Sequence, residues 1–322
     1  MKRKINLVGP NTLTVSLPAK IVKKLNLKKG DELELIEEGN NIVLSSDINS
    51  SEEKSITIDI TGLSYSSMWR CIRSAYCMGF TKIEIVFNSL HIIHTSQRRK
   101  IRNEPDKLET YVAITTIVHR LHGMSIVEHY PNKVTVKETS RLNFDDFDVF
   151  LKRILKLVYT IANEVLEAIK LKDDLRLRNV YYFDDDINDW TYSCLKMLNV
   201  NHQKRTASVL PLLIYLEKIG DLYINIVKTY LIHNVEMDKV TESYFKKTNN
   251  LYHLFLQTYL TQQNIGNLNN KSRELDYELL TVLIKSPNTY LFDLKMICDL
   301  INESTEFLFA MKSMKSSNPK TL

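Results

Sequence analysis

A chain of 322 residues is long enough for two or three domains with sizeable cores. With 44% hydrophobic and 25% charged residues but only 8 glycines and 7 prolines, it reads as a globular protein of long helices and few loops. The net charge of +5 is too mild to specify a partner. No run of about 18 uncharged apolar residues offers a membrane span. Cys71, Cys77, Cys194 and Cys298 lack CxxC spacing and paired histidines, which predicts reduced thiols in a cytoplasmic protein.

Met1–Lys4 leads into an alternating segment, so no signal peptide is expected. Lys4–Val8 and Leu13–Leu17 alternate as strands around the turn Gly9-Pro10-Asn11. Pro18 then opens a short helix with Ile21, Val22 and Leu25 on one face, stopped by Gly30-Asp31. Leu33–Ile36 and Ile42–Leu44 form a second hairpin around Glu38-Gly39-Asn40-Asn41. Charge is segregated here. Met1–Gly30 carries eight bases (Lys2, Arg3, Lys4, Lys20, Lys23, Lys24, Lys28 and Lys29) and no acid, whereas Asp31, Glu32, Glu34, Glu37 and Glu38 follow at once. A basic face of this kind attracts phosphates. About 45 residues provide too little core to stand alone, so the module is expected to borrow a partner.

The pattern Leu17-Pro18-x-x-Ile21-Val22-x-x-Leu25-x-Leu27-x-x-Gly30-Asp31-x-Leu33 resembles the AbrB/SpoVT (MazE-like) family. That resemblance implies a swapped-hairpin β domain, a homodimer through the N-terminal domain, and two first hairpins that jointly grip DNA. Arg3, Lys4, Asn11, Thr12, Lys20, Lys23 and Lys24 are the residues expected nearest the phosphates.

A serine- and acid-rich stretch, Ser45–Lys54, reads as a linker. Residues 55–138 form a small α/β domain. Its predicted elements are a strand Ser55–Ile60, a helix Ser64–Met78 stopped by Gly79, a strand Lys82–Phe87, a helix Leu108–Leu121, and a hairpin of Ser125–His129 and Lys133–Lys137 around Pro131-Asn132. Arg98, Arg99, Lys100 and Arg102 make a basic cluster that reads as a solvated loop. His91, His94, His119, His122 and His129 have no metal spacing and read as surface or packing residues. No nucleophile elbow, P-loop or dinucleotide fingerprint occurs, so the chain reads as no enzyme.

After a second linker, Glu138–Asp145, residues 144–314 are helical in pattern. Six helices are predicted: Phe144–Leu171, Asp173–Leu198, His202–His233, Asp238–Thr261, Asn270–Ile284 and Asn288–Met314. They read as two copies of a three-helix unit, about 144–235 and 238–314. Leu216-Glu217-Lys218-Ile219-Gly220-Asp221-Leu222 matches Leu294-Lys295-Met296-Ile297-Cys298-Asp299-Leu300, and Asp184–Asn188 matches Asp276–Leu280. Residues four apart on a helix share a face, so Glu217 pairs with Asp221, Asp184 with Asn188, and Asp185 with Asp189. Like charges at this spacing repel, and a bound cation relieves them; hard oxygen ligands suit Mg, Mn or Fe, less often Zn.

Leu216–Asp221 followed by Ile224-Asn225-Ile226 is similar to the third-helix motif of the PhoU family. The resemblance implies clusters of metal ions on the bundle, with Glu217 and Asp221 as ligands. On the preceding helix it leaves two choices open, Asp184 with Asn188 or Asp185 with Asp189. In the second copy Lys295 and Leu280 replace the matching polar residues, and an internal ion pair to Asp299 is expected where a metal would sit.

The middle segment fits the same kinship through Ser66–Phe80 (SSMWRCIRSAYCMGF), Lys82–Val86 and Leu121–His129 (LHGMSIVEH). Taken in order, the three segments resemble archaeal phosphate uptake regulators. That implies a DNA-binding transcriptional regulator whose PhoU-like bundle senses or relays phosphate status through metal or protein partners. The alternative is a PhoU-type adaptor on a phosphate transporter or signalling kinase, with the N-terminal arm serving dimerisation. A di-metal enzyme is the third possibility, and the chain lacks both a Glu-x-x-His pair and a nucleophile for it.

Overall fold

The computed structural model describes residues 2–24, 26–38, 41–45, 53–94, 101, 105–201, 206–233 and 235–317. The chain divides into two compact units, Met1–Glu53 and Lys54–Leu322. The basic cluster predicted at residues 98–102 and most of the first linker lie outside the described residues.

In the first unit β1 (Ile5–Val8) pairs antiparallel with β2 (Thr12–Val15), with Ile5 opposite Val15 and Leu7 opposite Leu13. Gly9 takes φ +70° in the turn, a conformation that L side chains rarely adopt. Helix α1 (Ala19–Lys24) starts directly after Pro18, whose carbonyl accepts the Ile21 and Val22 amides at 2.8 and 3.0 Å. Strands β3 (Glu34–Glu38) and β4 (Asn41–Ser45) form a separate antiparallel pair with Leu35 opposite Leu44. Alternation puts Ile5, Leu7, Leu13 and Val15 on one face of the first hairpin. That face is bare: Ile5, Leu7 and Leu13 are each about two-thirds exposed, and Leu35 and Ile42 of the second hairpin are exposed at 68% and 73%. Among the described residues, Pro18 is the one buried apolar side chain that precedes Ile58.

The second unit opens with an α/β layer. Strand β5 (Ser55–Asp59) lies parallel to β6 (Lys82–Val86), and the crossover between them is α2 (Tyr65–Cys77). The sheet order is β5, β6, β10 (Lys133–Glu138), β9 (Met124–Tyr130), the last two antiparallel with a bulge at Thr135–Val136. Ile58, Ile83, Ile85, Val134 and Val136 form a dry core with Met68, Ile72 and Tyr76 of α2 and Ile114, Ile117 and Val118 of α3 (Thr110–Val118). The helix predicted from Leu108 starts two residues later. Lys107–Glu109 is instead a strand (β8) paired with His91–Ile93 (β7), and the Thr110 amide donates to the Leu90 carbonyl. Gly123, φ +82°, joins α3 to β9 where an added Cβ would collide with the Ser140 carbonyl.

Six long helices follow: α4 (Phe147–Leu171), α5 (Asp174–Asn201), α6 (Thr206–His233), α7 (Lys239–Thr261), α8 (Ile265–Lys285) and α9 (Thr289–Ser317). Their ends follow local chemistry. Asp173 and Asp238 accept the Arg176 and Thr241 amides at 3.0 and 2.6 Å, and α4 stops at Lys172 in the left-handed conformation. Helix α8 begins five residues before the expected Asn270, because Ile265 and Leu268 are buried in the core. Helix α4 packs on α5, α6 and α7, while α9 packs on α6, α7 and α8. Within this core Tyr223 donates to Asn249 Oδ1 at 3.0 Å, Asn249 donates to the Ala162 carbonyl at 2.7 Å, and Tyr252 donates to the Leu155 carbonyl at 3.1 Å. These bonds satisfy polar groups that water cannot reach. Among the described residues no helix is long and apolar enough to cross a membrane.

Candidate nucleic-acid interface and the acidic faces of the bundle

All seven residues expected nearest DNA are exposed. Arg3 and Lys4 lead into β1 at the open end of the first hairpin. Asn11 and Thr12 lie at its turn, one strand length (about 13 Å) away. Lys20, Lys23 and Lys24 share one side of α1, and the last two stand in its final turn. One hairpin therefore presents polar groups at two separated ends, and the adjoining helix presents a compact cluster of three ammonium groups. The acids that follow Gly30 are partly engaged locally: Asp31 accepts the Lys28 amide at 2.6 Å.

On the bundle, the structure separates the six candidate metal ligands into two groups. Asp185 and Asp189 share a face of α5, as their spacing predicts, and both meet Arg120 from the turn that ends α3. Arg120 Nη1 lies 2.9 Å from Asp185 Oδ1, and its Nε and Nη2 lie 3.0 and 2.8 Å from Asp189 Oδ1. Nη2 also donates to the Asp185 carbonyl at 3.0 Å, and the guanidinium stacks over the Trp69 ring at 4.8 Å. The three side chains are 13–23% exposed. Burial outweighs the pull of Arg120 and leaves the Asp189 carboxyl raised to about 6.

Asp184 and Asn188 are buried on the neighbouring face of α5. The Asn188 amide donates to the Asp184 carbonyl at 2.9 Å and to its carboxylate at 3.3 Å, and Asn188 Oδ1 accepts the Tyr192 hydroxyl at 2.8 Å. Arg73 of α2 donates to that same hydroxyl and stacks 4.1 Å from the Tyr192 ring centre. Glu217 on α6 faces this cluster. Burial, then the charges of Asp221 and Asp184, push its carboxyl up to about 7, while Arg73 and Lys218 pull it down. Asp221 is more exposed and lies 3.8 Å from Lys218 Nζ.

In the second half, Lys295 Nζ reaches Asp299 at 2.7 and 2.8 Å on its own helix and lies 3.0 Å from Asp276 Oδ1 on α8, an ion pair without hydrogen-bond alignment. The internal ion pair expected from the sequence is present, and it takes in a second acid.

As placed, the six candidate ligands do not fit a metal cluster. Arg120 holds Asp185 and Asp189, Asn188 is spent on Asp184 and Tyr192, and among the described residues no three His, Cys, Asp or Glu side chains converge to hold an ion. Arg73 and Arg120 are partners of these clusters that sequence reasoning missed. Each stands 65 or more positions from its partner, and no spacing pattern links them.

Residues 7–52 match the family model described as "Antidote-toxin recognition MazE, bacterial antitoxin". The N-terminal module is therefore MazE/AbrB-like, a class that serves DNA-binding or antitoxin-type regulation. No curated protein and no solved structure matches the chain.

Proposed function

We propose that the chain is a homodimeric DNA-binding regulator of transcription, acting on phosphate uptake. Its PhoU-like helical half relays phosphate status through a protein partner. One observation carries this reading: a basic module of the MazE/AbrB-like class leaves the apolar faces of both its hairpins exposed, so it requires a second copy. Pairing of two copies would double the three-lysine helix and the polar hairpin ends into one extended cationic surface. Phosphate contacts of this kind supply affinity that falls steeply with salt. The reading assigns no catalytic step to the chain.

Fluorescence anisotropy on duplexes from promoters of phosphate-uptake genes tests it. Preferential binding over unrelated duplexes, weakening with salt, is expected; equal binding to all duplexes with no salt dependence would sink it.

A second reading makes the chain a PhoU-type adaptor on a phosphate transporter or signalling kinase, with the N-terminal arm serving dimerisation. Replacing Lys20, Lys23 and Lys24 by alanine separates the two: regulation that survives the change belongs to the adaptor.

A further inference from the structure

Each half of the bundle has a pair of acids bridged by one basic side chain, and the two bases come from different elements. In the second half the ammonium of Lys295, a bundle residue, lies between Asp276 and Asp299. In the first half the matching position is Glu217, which cannot play this part. By the same match Asp276 and Asp299 correspond to Asp184 and Asp221, and from outside the bundle the α/β layer delivers Arg120 to the adjacent pair Asp185 and Asp189. Four short contacts from one guanidinium, in a site less than a quarter exposed, fill the space between two carboxylates and cancel one of their two charges. Arg73 approaches the remaining cluster from the same layer, bonded to Tyr192 and lowering the Glu217 carboxyl.

We infer that Arg120 and Lys295 are built-in counter-ions that take the place of bound metal, and that Arg120 thereby couples the α/β layer to the bundle. Arg120 is a positioning residue. Its charge holds the end of α3 on α5, and its stacking on Trp69 ties α2 into the same contact. This inference stands apart from the DNA-binding reading, since it concerns only the second unit.

The test uses the full chain, stripped with chelator and titrated with MnCl2, with bound manganese measured after equilibrium dialysis. The wild-type protein should take up no manganese that Asp189→Asn removes. Arg120→Ala should take up Mn2+ that wild type does not, and adding Asp189→Asn should abolish that gain. Arg120→Lys should exclude manganese as the wild type does, because the charge and not the shape of the side chain is what excludes it. Lys295→Ala makes the same test at Asp276 and Asp299 if Arg120→Ala fails to fold. The inference is overturned if wild-type protein binds manganese in an Asp189-dependent way. It is equally overturned if folded Arg120→Ala, or folded Lys295→Ala, binds no more than wild type.

Discussion

At the scale of single residues, the chain's charges are decided by what they face rather than by their number. Arg120 shows this. Removing it strands Asp185 and Asp189 in a largely dry site, and such orphaned charges are costly. Arg120→Ala should destabilise the second unit by about 3 kcal/mol in urea unfolding, with Arg120→Lys losing less. Asp293 offers the opposite case. It is 3% exposed and accepts the Asn225 amide at 3.0 and 3.2 Å. Burial nonetheless pushes its carboxyl from 3.8 up to about 6, against the pull of Asn225, Lys218 and Lys228. A folded-state value above the unfolded one means that the native protein holds the proton more tightly. Its contribution to stability therefore falls as pH rises from about 4 to 6 and stays low above that. Asp293→Asn keeps an acceptor for Asn225 and removes the charge. The variant should gain about 1–3 kcal/mol on wild type at pH 7.5 relative to pH 4.5, measured as the difference between urea curves.

At the scale of elements, much was legible in the sequence. The hairpin from Ile5 to Val15 follows from strict alternation and a Gly-Pro-Asn turn, and the long helices follow from apolar periodicity; Asp173 and Asp238, read there as first helical residues, act as caps. The missed elements have physical causes. His91–Ile93 and Lys107–Glu109 are strands of three residues each, too short for alternation to register, and their pairing is fixed by tertiary position. The early start of α8 depends on Ile265 and Leu268 finding a core, and no cap residue announces it. The acid pair Asp185 and Asp189 was readable from i,i+4 spacing, but its partner Arg120 comes from another layer and leaves no local trace. Helix α1 supports a sharper expectation. If Lys20, Lys23 and Lys24 each contact a phosphate, replacing all three should reduce the slope of log affinity against log salt by about 2–3 per chain, as read by anisotropy. In the first hairpin, Leu7→Asp or Leu13→Asp should turn a dimer into a monomer in light scattering. The helical circular dichroism should stay unchanged, because those side chains contribute nothing to the core of the second unit.

At the scale of the whole molecule, two units differ in how their stability arises. The second buries two hydrophobic clusters and is expected to unfold independently of concentration. Among its described residues the first buries Pro18 and no other apolar side chain, so its folding is expected to be tied to association. Dilution should lower the midpoint of the first unit and leave that of the second in place. Both tryptophans, Trp69 and Trp190, lie in the second unit, so their fluorescence reports it alone, and amide exchange in residues 5–15 reports the first.

The ion pairs of Lys295 carry a last consequence. A free ion obeys mass action and leaves its site when its concentration in the surroundings drops. An ammonium on a side chain has no such concentration, and neither starvation nor a chelator can empty the place between Asp276 and Asp299. That half of the bundle carries its counter-ion on its own chain, whatever the supply of metal.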